Sequence, residues 1–181
     1  MAPVTELWDI LDDNRRPTGR TAPRQDGLVD GDLHVVVHVC LFNAAGEMLI
    51  QRRTETKRDW PGLWDFSVGG SIHAGETSRE GALREVREEL GLDVELGRPS
   101  FTFNFQYGFD DFYLLRHDVA LPLAAVPNEE VAEVRWASPD DVVELLRAGE
   151  FINYRESVVR FVFDFLDHRN IFDSRDLRWG R

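Results

Sequence analysis

Glu85, Glu88 and Glu89 stand at i, i+3 and i+4. On a helix this spacing puts three carboxylates on one face within a single turn, where they repel one another. A run of like charge ordinarily does no more than solvate a helix surface. The residues around this one point to chemistry instead. Gly70-Ser71-Ile72-His73-Ala74-Gly75-Glu76 leads through seven residues into Arg84 and the three glutamates. A glycine-bearing entry lets backbone carbonyls approach a bound ion, and Arg84 and Glu76 can brace the carboxylates from beside them. A hard divalent cation would relieve the repulsion. Magnesium takes oxygen ligands in octahedral geometry, keeps several waters and bridges carboxylates to phosphate oxygens, so Mg2+ suits this donor set, with Mn2+ as a substitute.

Phosphate chemistry of that kind asks for neutralised oxygens, an aligned water and a stabilised leaving phosphate. Arg52, Arg53, Lys57 and Arg58 lie shortly before the acidic run. They either bind phosphate or solvate the end of a strand, and Arg53 is the preferred candidate for phosphate. Trp60, Trp64, Phe103, Phe105 and Tyr107 could stack on a base or pack in the core.

Together these residues resemble the Nudix box. Gly70, Glu76, Arg84, Glu85, Val86, Glu88, Glu89, Gly91 and Leu92 fill every specified position of that pattern. Seven fixed identities and two aliphatic positions arise by chance on the order of once in a billion starting points, which makes the match specific. The resemblance implies an α/β class and the Nudix fold, an α/β/α sandwich with a mixed sheet. It also implies a metal-dependent hydrolase that cleaves a diphosphate linkage in a nucleotide or other phosphorylated small molecule, by attack of water at phosphorus. On the family pattern, Glu88, Glu89 and the Gly70 carbonyl would bind the metal, and Glu85 would bind metal or orient water. Arg84 and Glu76 would form the supporting ion pair. Family members often add a carboxylate from a loop after the box, as ligand or base, and Glu129 and Glu130 stand at a suitable place.

A narrower resemblance runs through Leu33-His34, Phe42-Asn43, Gln51-Arg52-Arg53 and Trp60-Pro61-Gly62-Leu63-Trp64, which looks like isopentenyl diphosphate isomerase, an enzyme of the same fold. The isomerase pattern places a catalytic cysteine and a metal-binding histidine just before its version of the box. This chain reads Ser67-Val68-Gly69-Gly70-Ser71 there, and Gly27 stands where a partner for His34 would be. The intact box and the missing pair favour water as nucleophile over isomerisation. His34 and His38 are then structural, and Cys40 is a small buried hydrophobe in a strand. A third reading is a Nudix module that senses a nucleotide without turning it over; the full set of carboxylates speaks against it.

The elements that must position these groups alternate along the chain. Strands are expected over residues 6–12, 33–42, 47–53, 64–68, 94–106, 109–121 and 131–137, with Phe101, Phe103 and Phe105 on one face. Helices are expected over residues 78–90, after the capping sequence Thr77-Ser78-Arg79-Glu80, from Ser138 to before Gly149, and over 154–168. The 181 residues fit a single domain spanning 1–181, with an N-terminal hairpin extension over about 1–30 and a C-terminal helix and tail over about 153–181. The tail over residues 171–181 either docks on this domain or a second copy, or frays. A homodimer is expected as the commonest oligomer. A net charge of −12 opposes nucleic-acid polymers and anionic membranes as partners. The single Cys40 excludes an internal disulfide. With no signal-type or membrane-spanning segment, a cytoplasmic location is expected.

Overall fold

The structure is a computed structural model and describes residues 6–166. Its centre is β3 (His34–Phe42), whose side chains alternate between two apolar surfaces. Val37, Val39 and Leu41 face one core, while Cys40 and Phe42 face another. A strand apolar on both sides must be covered on both. β3 lies inside a seven-stranded sheet with β4 (Met48–Arg53), β5 (Trp64–Asp65), β7 (Phe101–Phe105) and β8 (Gly108–Arg116), in the order β5-β4-β3-β8-β7. β6 (Val68–Ser71) pairs antiparallel with the first half of β3, and β9 (Val131–Ala137) pairs antiparallel with β4. β3 and β8 run parallel, so the sheet is mixed.

Val37, Val39, Leu41 and Leu49 pack against Ala82, Val86 and Leu90 of α1 (Ser78–Leu90). The opposite face packs Phe42, Met48, Ile50 and Phe112 against Val142 and Val143 of α2 (Pro139–Ala148) and Val159 and Val162 of α3 (Glu156–Phe165). The result is the expected α/β/α sandwich. α1 starts at a complete capping box between Thr77 and Glu80 and stops at Gly91, whose φ of 65° is a left-handed geometry that glycine takes without strain. α2 starts in the same way at Ser138 with proline in its first turn.

Four sequence expectations need correction. Residues 94–100 form no strand, because Val94 and Leu96 cover the core under α1 as coil, and Gly97 and Pro99 interrupt any ladder. Strand β8 ends at Arg116 rather than at residue 121. The stretch 64–68 divides into β5 and β6, separated by Phe66 and Ser67; the Ser67 hydroxyl accepts from the Leu41 N–H at 2.9 Å and donates to the Leu49 carbonyl. α3 begins at Glu156, and the expected end of that helix at 168 and the tail over 171–181 lie outside the described residues. Phe101 and Phe103 pack on Phe112 and on Phe161 of α3, whereas Phe105 stays 40% exposed. No helix among the described residues is long and apolar enough to cross a membrane.

The N-terminal hairpin, β1 (Leu7–Leu11) with β2 (Pro17–Pro23), forms its own two-stranded sheet. It grips the entry to α1: the Ala74 N–H donates to the Leu7 carbonyl at 2.7 Å, and the Gly75 N–H donates to Asp9 at 2.7 Å. Its turn carries Arg15 at φ 61°, a costly conformation for a residue with a side chain. There Arg15 makes a two-pronged ion pair with Asp111, which is fully buried and also accepts from the hydroxyls of Ser78 and Thr102. Burial alone would raise the Asp111 pKa, but these donors outweigh it and hold the carboxyl below its ordinary value. Hairpin turn, first turn of α1 and edge strand therefore meet at one carboxylate.

Replacing Asp111 by alanine strands the Arg15 charge and two hydroxyls, and should cost about 3 kcal/mol or more, a fall of roughly 6–12 °C in the unfolding midpoint. Asp93→Ala, which breaks an ion pair with Arg87 that is largely exposed on both sides, should cost less than about 1 kcal/mol. Calorimetry on both variants checks the contrast.

Candidate active site

β6 enters the site as Val68-Gly69-Gly70-Ser71 and gives it an edge almost free of side chains. The absence of a side chain at Gly70 is required, since a Cβ there would lie 2.2 Å from the Glu85 carboxyl carbon. Helix α1 brings Arg84, Glu85, Glu88 and Glu89 against that edge. Arg84 is the fixed point. Its Nε and Nη2 donate to the two Glu76 oxygens at 2.9 and 3.0 Å, Nη1 donates to Glu85 at 2.9 Å and Glu88 at 3.0 Å, and Nη2 also donates to the Ser71 carbonyl at 3.1 Å. Burial works against the charge of Arg84, but these carboxylates prevail and its pKa rises. Glu76 accepts in addition from the His73 N–H at 2.9 Å, closing the entry loop.

The three glutamates differ in setting. Glu88 is half-exposed and reaches Arg84. Glu85 is buried, and burial, only partly offset by Arg84, pushes its pKa up to about 7. Glu89 turns inward, away from Arg84, and accepts from the Gln51 amide at 2.8 Å and the Gly69 N–H at 3.3 Å. Burial, and after it the Glu85 charge, push its pKa up to about 8. Among the described residues no three His, Cys, Asp or Glu side chains converge to cage an ion. The acidic oxygens instead surround the Gly70 edge with more negative charge than Arg84 can neutralise. The donor set, all hard oxygen and short of countercharge, fits a hard divalent cation.

A cleft of about 210 Å³ opens in front of this group. Gly70, Arg84, Glu85 and Glu88 line it together with Arg24, Arg53, Lys57 and Glu130, whereas Glu89 is not part of its lining. Arg53 lines the cleft, with its Nε donating to the Asp59 carbonyl at 3.1 Å. Lys57 pairs with Glu130. Of the two glutamates after the box, Glu130 lines the cleft, whereas Glu129 is exposed and not part of its lining. Asn128 sets this loop, donating to the Glu89 carbonyl at 2.8 Å and accepting from the backbone of Glu130 and Val131. Arg52 points elsewhere, toward Glu133, and Arg58 lines only an outer cavity that continues from the cleft.

Trp60 lines the cleft and is 46% exposed. Trp64 is instead buried under Arg135, 4.9 Å from its ring, and Phe103, Phe105 and Tyr107 are not part of the cleft lining. His34 is buried beside Trp8, and burial lowers its pKa to about 4. Cys40 is fully buried in the apolar core, and burial drives its thiol pKa well up. Sequence reasoning missed Arg24, which arrives on the N-terminal segment, and Gln51, which is a polar residue at a buried strand position. It also missed the cleft floor of His38, Asp65 and Tyr154.

The chain matches the family model for the NUDIX domain over residues 32–160. It is 46% identical over 151 residues, 82% of this chain and 89% of the relative, to the uncharacterized Nudix hydrolase lin0387 of Listeria innocua. It is 30% identical over 146 residues, 77% of this chain and 80% of the relative, to an isopentenyl-diphosphate Delta-isomerase of Salmonella arizonae. The crystal structure of DR0079 from Deinococcus radiodurans superposes with a TM-score of 0.72 at 28% identity, covering 86% of this chain and 98% of that one. With its acidic helix set against a glycine edge beside cationic side chains, the chain belongs to the Nudix family and is a Nudix hydrolase.

Proposed function

We propose that the protein cleaves a diphosphate linkage in a nucleotide or another phosphorylated small molecule, with Mg2+ as its metal and Mn2+ as a working substitute. The observation that carries this reading is the cleft in which Glu85 and Glu88, with Glu89 buried behind them at the Gly69 edge, share one lining with Arg53 and Lys57. Glu88, Glu89 and the Gly70 carbonyl would hold the cation, with Glu85 as further ligand or as the group that orients water. Bound there, the cation would neutralise phosphate oxygens and acidify a water. Arg84 keeps Glu85 and Glu88 in place, and Glu76 keeps Arg84 in place. Arg53 draws the diphosphate in and offsets charge that builds on the departing phosphate. Glu130, freed from Lys57 when phosphate takes that lysine, is the candidate base. The chain acts as one domain in the cytoplasm on this reading, and a homodimer remains its expected assembly.

The similarity to an isomerase at 30% identity supports a second reading, allylic isomerisation by a cysteine. Cys40 is the one cysteine, and its burial and raised pKa disfavour the thiolate that such chemistry uses. Cys40→Ala should therefore leave diphosphate turnover within a few fold, and loss of turnover in a folded variant would restore the isomerase.

Glu89 and Glu76 should separate by role. Glu89→Gln removes a ligand charge and should lower kcat by roughly a hundredfold or more, about 2.7 kcal/mol of barrier. Glu76→Gln loosens Arg84 and should cost roughly ten- to a hundredfold. Stability in metal-free buffer at pH 8 should move oppositely, rising for Glu89→Gln and falling for Glu76→Gln. Parental activity in a folded Glu89→Gln protein would defeat the assignment.

Metal and pH should couple through the same carboxylates. Their folded pKa values, about 7 and about 8, lie above the ordinary glutamate value. The folded state therefore holds more protons than the unfolded one between the ordinary and the raised values. By linkage the metal-free protein is most stable below that window and loses stability as pH rises through it, up to about pH 8. Magnesium favours the ionised forms and should flatten the loss. Unfolding midpoints from pH 5 to 9, in chelator and in magnesium, check this, and identical curves would count against metal binding here.

A further inference from the structure

The floor of the cleft holds polar groups for which hydrolysis at phosphorus has no use. His38 and Asp65 are buried, at 6% and 3% exposure, and line the cleft with Tyr154 and Gly69. They form one chain of hydrogen bonds. His38 Nδ1 meets Asp110 at 2.8 Å, His38 Nε2 meets the Tyr154 oxygen at 3.0 Å, and the Tyr154 hydroxyl donates to Asp65 Oδ1 at 3.1 Å. The Phe66 N–H also donates to Oδ1, at 2.8 Å. Both donors thus reach the same oxygen, and Asp65 Oδ2 is left facing the strand edge at Gly69. A Cβ on Gly69 would lie 3.7 Å from Oδ2, 3.2 Å from His38 Nε2 and 3.1 Å from His38 Cδ2. The missing side chain leaves a notch walled by a carboxylate oxygen and an imidazole edge.

We propose that this notch is a subsite for a hydroxyl of the substrate, with Asp65 Oδ2 as the acceptor and Gly69, His38 and Tyr154 as the residues that shape and hold it. The inference rests on the hydrolase reading above and names what the non-phosphate part of the substrate carries. Asp65 lines the cleft, and a ligand that shuts water out of it without offering Oδ2 a donor would leave that oxygen unpaired at a cost, which a ligand hydroxyl avoids. Arg53 and Lys57 line the same cleft of about 210 Å³, so the hydroxyl belongs to the molecule whose phosphates they meet. Donors that close to a diphosphate are those of a sugar. A prenyl chain offers none and would bury Asp65 unpaired. A site built around a substrate hydroxyl can reject the analogue lacking it by about 10⁴-fold, far more than an apolar pocket manages with a methylene.

The test is kcat/KM in magnesium for a nucleoside diphosphate, its 2′-deoxy and 2′,3′-dideoxy counterparts and a prenyl diphosphate. The parent should prefer the ribose compound to the dideoxy one by roughly a hundredfold or more, with the prenyl compound slowest. Gly69→Ala fills the notch against a histidine pinned at both nitrogens, and Tyr154→Phe removes the hydroxyl that orients Asp65. Each should shrink the ribose-to-dideoxy ratio below about tenfold, and that ratio is unmoved by a general loss of activity. A parental ratio near one, or an unchanged ratio in both variants, overturns the subsite while leaving the hydrolase intact. If none of the four compounds is hydrolysed, the hydrolase reading fails for this class. Calorimetric affinities for the same series in calcium then decide the subsite, with equal affinities overturning it.

Discussion

The site depends on one guanidinium serving three carboxylates. Arg84 spends its donors on Glu76, Glu85, Glu88 and the Ser71 carbonyl, and only a planar fork with five N–H groups can reach all of them from one position. A lysine would satisfy two or three and leave the rest to repel. This arrangement ties the entry loop, the end of β6 and the second turn of α1 into a unit. It also leaves a deficit, because one positive charge cannot balance three negative ones and Glu89 behind them. Burial is the main reason that the pKa values of Glu85 and Glu89 are raised, and the neighbouring carboxylates add to it.

The rest of the fold exists, from the viewpoint of the site, to keep α1 from relaxing that deficit by moving away. Ala82, Val86 and Leu90 hold its inner face on β3 and its neighbours, and each large apolar group buried there contributes about 1.5–3 kcal/mol. Asp111 holds the helix by its first turn through Ser78, and the hairpin holds the entry loop at Ala74 and Gly75. Because β3 is buried on both faces, a one-residue slip would bring His38 to the α1 side, so its register is strongly specified. The glycines of β6 then serve two faces at once. Gly70 admits Glu85, and Gly69 uncovers His38 and Asp65.

What the sequence disclosed follows from how local each signal was. α1 was legible end to end because the capping box, the 3.6-residue apolar period and the glycine stop all lie within it. Residues 94–100 misled because apolar residues that cover a helix as coil look like those of a strand. The box residues were found since their spacing is itself the message. The spacing overstated their convergence, however. At about 100° per residue, Glu88 and Glu89 differ by a quarter turn, which is enough to leave one half-exposed and bury the other. Arg24, Gln51 and the His38, Asp65 and Tyr154 floor were hidden because strand pairing and the chain after α2 bring them together from distant positions. No window of sequence contains them.

The charge distribution acts at two ranges with opposite sign. At long range the net charge of −12 disfavours a polyanion, whose many phosphates extend beyond any one patch and meet the acidic surface. Screening limits that field to about 8–10 Å at ordinary ionic strength, so a small phosphorylated molecule that reaches the mouth of the cleft feels mainly what lines it. There Arg24, Arg53 and Lys57 share the lining with Glu85 and Glu88 of the acidic helix. Lys57 is tied to Glu130 and Arg24 to Glu6 until an anion arrives, so these ion pairs hold the cationic side chains in place without leaving bare charge. If the substrate is the proposed diphosphate, it would displace both carboxylates because it brings more negative charge to the same donors. On the proposed reading, a preference for a small ligand over a polymer would follow from where the few cations sit, against a chain that is acidic as a whole.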